Sequence, residues 1–105
     1  MRALVIRPEP AAAIASGRKT LEIRSWRLRE PGPLLVVSAG VAVAVVEVGA
    51  CEPMRPEDAE AACCDYLPGA LAWRLRLVSR TEPTPIPKRG QRIFHVPEEL
   101  IRPAA

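Results

Sequence analysis

The chain has 105 residues, 49% of them hydrophobic and 26% charged, a balance that excludes a disordered chain and predicts one small globular domain over residues 1–105. Its formal net charge of +3 is a mild basic bias, compatible with a nucleic acid or another polyanion as partner. The twelve prolines punctuate several short elements and argue against long helices.

Segments that would export the chain, anchor it or hold a metal are not predicted. Charges at Arg2 and Arg7 interrupt the first apolar run before a signal peptide could form, and the long uncharged stretch that contains residues 32–46 is too short to span a membrane. Three cysteines, two of them adjacent, make a poor disulfide framework, and with one histidine and no Cys-x-x-Cys spacing they predict small buried thiols rather than zinc ligands. We therefore expect a cytoplasmic protein with no metal, no membrane contact and no organic cofactor.

The first half of the chain predicts a strand, a helix and a second strand. Residues 3–6 form a short apolar run, and a helix follows from Pro8 or Pro10, since proline fits the first helical turn. Gly17 supplies a left-handed stop for that helix. Residues 20–26 then alternate between apolar and polar side chains, which is typical of a strand with one buried face.

The middle of the chain predicts two apolar strands and a second helix. Residues 33–39 and 41–51 are rich in β-branched residues and are split near Gly40. The second segment is apolar on both faces, with Ala42 and Ala44 sharing one of them, so it is expected inside a closed or sandwiched sheet. Residues 56–64 begin with proline and two acidic residues and predict a helix.

Two further strands are predicted near the end. Residues 70–79 alternate, with Trp73, Leu75 and Leu77 on one side and Arg74 and Arg76 on the other, and residues 92–96 form a last strand after a proline-rich loop over residues 81–90. Five to seven short strands with two short helices predict an α+β domain built as a small mixed β-barrel.

The most informative segment runs from Gly17 to Trp26. Its apolar positions fall on one face of the predicted strand, while Thr20, Glu22 and Arg24 fall on the other, with Lys19 beside them. Lys19 and Glu22 are three residues apart, so they share a face only if Lys19 precedes the strand in a turn. This clustering of charges next to a helix end predicts a polar site.

These residues resemble the ASCH domain, a branch of the PUA-like superfamily. The family signature Gly-x-Lys-Thr-x-Glu-x-Arg is matched by Gly17-Arg18-Lys19-Thr20-Leu21-Glu22-Ile23-Arg24. Further matches are Gly32-Pro33 before an apolar strand, Val45-Val46-Glu47-Val48, and the turn Pro85-Ile86-Pro87-Lys88-Arg89-Gly90. The resemblance covers nearly the whole chain in the right order.

The resemblance implies a PUA-like β-barrel of five to six strands, with a cleft between the first helix and the barrel wall. It implies that the lysine, glutamate and arginine of the signature line this cleft, and that the ligand is RNA, a nucleotide or a modified nucleoside. The residues we predict to bind it are Arg7, Lys19, Glu22, Arg24 and Trp26, with Arg24 suited to bidentate recognition of phosphates or base edges and Trp26 to base stacking.

A few members of the family are hydrolases, so the second hypothesis is a ribonuclease or an amidohydrolase with Lys19 and Glu22 as general acid and base. Lys19 matches the lysine of the acetylcytidine amidohydrolases, but Glu22 stands where those enzymes have a threonine nucleophile. A third hypothesis is a protein-interaction domain with an unused cleft.

Each candidate residue also has a purely structural interpretation. Lys19 could form an exposed ion pair, Glu22 and Arg24 could form a salt bridge with each other, and Trp73 is expected in the core. Arg74 and Arg76, together with Lys88, Arg89 and Arg92, could form a basic face for nucleic acid, or simply a solvated one.

Overall fold

The computed structural model describes residues 1–87, 90 and 92–105. The strands within these residues are β1 (Arg2–Val5), β2 (Leu21–Arg24), β3 (Gly32–Ser38), β4 (Val41–Pro53), β5 (Leu71–Arg80) and β6 (Phe94–His95). The helices are α1 (Pro8–Ala15) and α2 (Ala59–Ala62), with short 3-10 turns at Pro56–Asp58 and Glu98–Leu100.

The strands form one curled, six-stranded sheet in the order β2-β5-β4-β3-β1-β6. Neighbouring strands are antiparallel, except that β1 lies parallel to β3, with Ala3 opposite Leu35. The two edges are therefore β2 and the two-residue strand β6. This mixed half-barrel with two short helices confirms the predicted α+β, PUA-like fold.

The sheet has an apolar core on each of its faces, which explains why β4 carries so few polar residues. One cluster joins the sheet to α1 and includes Ile14, Val46 and Trp73. The second lies on the opposite face and is closed by residues near the C-terminus, among them Ile86 and Phe94. A strand between two such clusters is buried from both sides, as the sequence predicts.

The prediction that Ala42 and Ala44 share a face is wrong. The pairing of β3 with β4 shifts between Val36 and Val37, so that Val36 lies opposite Ala44 but Val37 lies opposite Ala42. The extra residue in β4 is a β-bulge, and it places Ala44 in the cluster under α1 and Ala42 in the cluster on the other face.

The predicted start of α1 is confirmed, but the second helix is shorter than expected. Pro8 occupies the first turn of α1, and Gly17 has φ +81° just after its end. The helix predicted over residues 56–64 consists of a 3-10 turn and the single turn of α2, and it ends at Cys63, which takes a left-handed conformation with φ 55° and ψ 36°. Among the described residues, no helix has the length and apolarity needed to cross a bilayer.

Candidate functional site

The turn after α1 places Lys19 just before β2, at the edge of the sheet. Gly17 N–H donates to the carbonyl of Ile14 and Lys19 N–H to that of Ala13, each at 3.0 Å, so the chain folds back across the helix end. Lys19 therefore precedes β2, which begins at Leu21, and its side chain is free to turn toward Glu22. This is the arrangement under which the two residues can share a face.

Lys19, Glu22 and Arg24 form a continuous chain of charges. Lys19 Nζ lies 3.7 Å from Glu22 Oε1, and Arg24 Nε donates to Glu22 Oε2 at 2.8 Å. Lys19 and Glu22 are only 7% and 6% exposed. The salt bridge between Glu22 and Arg24 is thus present, and the pair of Lys19 and Glu22 is buried rather than exposed as its structural interpretation assumed.

Arg24 is the member of this charge chain that reaches solvent. Its side chain is 27% exposed, and its Nη2 group donates to the carbonyl oxygen of Val5 at 3.3 Å, at the end of β1. Glu22 on one side and Val5 on the other fix the plane of the guanidinium. The two cations and one anion leave a net charge of one positive unit, and Arg24 is the member of the group that presents it to solvent.

A Schellman motif closes α2, with an adjacent pair of cysteines in the capping positions. Cys64 N–H donates to the carbonyl of Ala59 at 3.2 Å and Cys63 N–H to that of Glu60 at 3.1 Å. Cys63 occupies the left-handed position that glycine usually fills. Both thiols are exposed and Cys51 is half-buried, so the prediction of buried thiols is wrong for these two residues.

The other two carbonyls of α2 accept hydrogen bonds from residues of the signature segment Gly17–Arg24. Thr20 N–H donates to Ala61 O at 2.9 Å, and Lys19 Nζ donates to Ala62 O at 2.6 Å. A helix leaves its last four carbonyls without intrahelical partners, and a cation near them also interacts favourably with the helix dipole. All four carbonyls of α2 are therefore satisfied, half of them by Lys19 and Thr20. Sequence reasoning missed this capping role, because the contacts join segments far apart in the chain.

Trp26 lies just after β2, half-buried against Trp73. Their ring centroids are 4.9 Å apart at 83°, and Trp73 Nε1 donates to the carbonyl of Trp26 at 3.0 Å. Trp73 is fully buried, which confirms that it belongs to the core. The guanidinium carbon of Arg92 lies 5.1 Å from the centroid of the Trp26 ring, within the range of a cation–π contact.

Arg7 and Arg92 add cations near the exposed end of Arg24. Arg7 is exposed and precedes α1, two residues beyond the Val5 carbonyl that Arg24 contacts. Because β6 runs antiparallel to β1, Arg92 lies toward the same end of β1. We call the group of Arg7, Arg24, Trp26 and Arg92 the cationic rim.

A separate groove of about 520 Å³ lies on the opposite face of the β2–β5 ladder, between α2 and the strands β4 and β5. In this ladder Leu21 pairs with Arg74 and Glu22 with Trp73, so Arg74 and Glu22 point to opposite faces. Of the signature, only Thr20 and Leu21 line the groove. Its charged side chains are of both signs: Arg55, Arg74, Arg76, Glu47, Glu52 and Asp58.

This geometry corrects the predicted basic face. Arg74 and Arg76 line the groove, whereas Arg92 packs on Trp26 across the sheet, so these arginines do not form one surface. Lys88 and Arg89, the other members of that prediction, lie outside the described residues. No three of the described histidine, cysteine and acidic residues gather as a metal site would require.

The comparisons with known proteins agree with this fold. The family model for the ASCH domain matches residues 4–87, so the chain belongs to the ASCH domain family, within the PUA-like superfamily. The chain is similar in structure to ASCH from Zymomonas mobilis, with a TM-score of 0.73 and 19% identity over 94% of this chain and 89% of that chain.

Crystal structures of two mutants of the same Zymomonas mobilis protein also match. The serine-to-alanine mutant gives a TM-score of 0.66, with coverage of 94% of this chain and 89% of that one. The tyrosine-to-phenylalanine mutant gives 0.67, with 94% and 91% coverage, and both are 17% identical to this chain. A search of curated proteins gives no significant match. Identities this low carry the likeness of fold alone.

Proposed function

We propose that this ASCH domain binds RNA or a nucleotide-like ligand, including a modified nucleoside, beside α1 at the cationic rim. The observation that carries the proposal is the state of Arg24, which is held by Glu22 and Val5 yet keeps 27% of its side chain exposed. A guanidinium has five N–H donors, and these two bonds occupy two of them. The others are free to meet a phosphate or a base edge in a planar, bidentate geometry.

The buried part of the charge chain supports this role by orienting Arg24. A long side chain that is already fixed loses less conformational entropy when it binds a ligand. Glu22 fixes Arg24 directly, and Lys19 in turn contacts Glu22 at 3.7 Å. In this proposal Lys19 and Glu22 act mainly as positioning residues, while Arg24 and Arg7 meet the ligand.

Trp26 supports the choice of a nucleobase as part of the ligand. Stacking of a base on an aromatic ring is worth roughly 1–3 kcal/mol, and it tolerates every base. Trp26 is half-buried and packs edge-to-face with Trp73, a contact that orients its ring. Arg92 already lies over this ring, and its guanidinium can take part in such a stack. The three free thiols support the predicted cytoplasmic location of this activity.

The direct test is a titration with three probes: a short single-stranded RNA, a nucleoside monophosphate and acetylcytidine. Trp26 belongs to the site, so tryptophan fluorescence follows binding of each. We expect Arg24→Ala and Arg7→Ala each to weaken binding about tenfold, a loss of about 1.4 kcal/mol. Arg29→Ala, an exposed arginine elsewhere, is the matched control. If Arg24→Ala binds like the parent chain, the proposal is wrong.

The same incubations test the alternative hydrolase. General acid–base chemistry by Lys19 and Glu22 would require substrate to reach two side chains that are 6–7% exposed. This second function would be supported if the parent chain released RNA fragments, or free cytidine from acetylcytidine, and the Lys19→Met variant released neither. Saturable binding without products supports the binding module, and no binding by any probe would favour an interaction domain.

A further inference from the structure

The end of α2 couples an adjacent pair of exposed cysteines to the buried charge chain. Ala62 is fully buried, and its carbonyl receives Lys19 Nζ at 2.6 Å. The next two residues, Cys63 and Cys64, carry exposed thiols, and their backbone N–H groups cap the C-terminal end of α2. One short turn thus joins the thiols, the helix end and Lys19.

We propose that Cys63 and Cys64 are a redox modification site, and that a disulfide between them is incompatible with the capped form of α2. Adjacent Cα atoms lie about 3.8 Å apart across a trans peptide, whereas disulfides usually join Cα atoms about 4.4–6.8 Å apart. Rotation of a trans peptide leaves this Cα separation unchanged, so the bridge closes a small, strained ring that contains the peptide between the two cysteines. Closing the ring requires the backbone torsions on either side of this peptide to change, and the peptide rotates. That peptide carries the Cys64 N–H, which donates to Ala59 O in the Schellman motif.

Rotation of this peptide breaks the cap and frees the end of a helix that has only one turn. Helices this short are held by tertiary contacts rather than by their own hydrogen bonds. When α2 shifts, Ala62 O leaves Lys19 Nζ, and Ala61 O leaves Thr20 N–H. Lys19 then loses its anchor beside Glu22, and Arg24 loses part of its support. Oxidation therefore weakens ligand binding at the rim, a step that rests on the proposed function.

The reaction balances with a small-molecule disulfide as oxidant. One cysteine thiolate attacks the oxidant, forms a mixed disulfide and releases one thiol. The second cysteine thiolate attacks the mixed disulfide, forms the protein disulfide and releases the second thiol. Two protein thiols lose two electrons and two protons, and one oxidant disulfide becomes two thiols. Strained, exposed disulfides of this kind are readily reduced, so the step is reversible.

The experiment uses the full chain with oxidised glutathione, followed by reduction. Mass spectrometry identifies the intramolecular disulfide by the loss of two hydrogen atoms. Hydrogen exchange reports the Thr20 amide, and a fluorescence titration reports binding of a short RNA. We expect the disulfide to speed exchange at Thr20 at least tenfold, to weaken RNA binding at least tenfold, and both changes to reverse on reduction.

Cys51→Ser is the matched control, since Cys51 lies away from α2 and should leave all three readouts unchanged. Cys63→Ser and Cys64→Ser each remove the bridge, so both should bind RNA normally and keep the Thr20 amide protected in oxidised glutathione, even where the remaining thiol carries a glutathione adduct. Only glutathione adducts and no bridge, or an oxidised chain whose Thr20 amide stays protected, would overturn the proposal. If the reduced chain binds no RNA, the proposed function fails, yet exchange at Thr20 still decides whether the thiols are coupled to Lys19.

Discussion

Lys19 Nζ lies 2.6 Å from the carbonyl oxygen of Ala62, although the two residues are 43 positions apart in the chain. This one bond ties the signature at the start of β2 to the end of α2. It gives the signature lysine a structural task, since a buried helix carbonyl without a partner costs free energy. The stability of the fold and the geometry of the candidate site therefore depend on the same side chain.

Replacing Lys19 should destabilise the protein more than replacing its exposed neighbour. Lys19→Met keeps most of the length of the side chain but leaves Ala62 O without its donor and Glu22 with one cation fewer. We expect a loss of roughly 1–3 kcal/mol in the free energy of unfolding, measured by urea denaturation. Arg18→Met is the control and should change it by less than about 0.5 kcal/mol. Equal stability of the two variants would contradict the capping role.

Removing the carboxylate of Glu22 should lower the free energy of unfolding more than replacing Lys19 does. Glu22→Gln leaves Lys19 buried without its anion and loosens Arg24, and breaking a buried charge pair from one side typically costs about 3–5 kcal/mol. The control is Glu52→Gln, because the contact of Glu52 with Arg74 is 3.9 Å long and largely exposed. Thermal unfolding should separate the two variants clearly, and a Glu22→Gln melting curve that overlaid the parent curve would refute the argument.

Glycine at position 63 should stabilise the protein. Cys63 holds φ 55°, a left-handed conformation that disfavours side chains by roughly 1–2 kcal/mol, and part of this gain is lost to the greater entropy of unfolded glycine. We expect Cys63→Gly to raise the free energy of unfolding by about 0.5–1 kcal/mol. Cys64→Gly has no left-handed strain to relieve and should lower it. The opposite order in urea denaturation would show that the turn is not formed in solution.

The two faces of the sheet should differ in their effect on RNA affinity. Arg92→Ala removes the cation over Trp26 and should weaken binding about three- to tenfold, a change of up to about 1.4 kcal/mol. Arg74→Ala removes the same charge from the groove on the opposite face and should change affinity less than about twofold. Titrations at two salt concentrations distinguish local contact from overall charge, and a larger effect of Arg74→Ala would move the site to the groove.

The fold was largely predictable, because its signals are local. The alternation of residues 20–26 and 70–79 marks β2 and β5, and the proline and glycine at the ends of α1 mark its limits. The apolar runs of β3 and β4 reflect burial on both faces. The bulge that separates Ala42 from Ala44 left no sequence signal, because it arises from the pairing of two strands.

The site was predictable only in part, since its contacts are long-range. The spacing of Glu22 and Arg24 on one strand face indicates their salt bridge directly. The partners of Lys19 and of Arg24 on distant elements, Ala62 O and Val5 O, are backbone atoms, and backbone atoms carry no residue-specific signal. The sequence also could not separate Arg92 from Arg74 and Arg76, because their relative placement depends on how strands distant in the chain are ordered in the sheet.

The position of β2 at the sheet edge, beside β5, has a consequence for protein synthesis. Leu21 is synthesised before Arg74, the residue opposite it on β5, and more than fifty residues separate the two. Until β5 leaves the ribosome, β2 has no neighbour with which to exchange backbone hydrogen bonds. The nascent chain therefore carries Glu22 and Arg24 in an unpaired segment, and a polypeptide that stops before β5 lacks both the partner strand of β2 and Arg92 of the cationic rim.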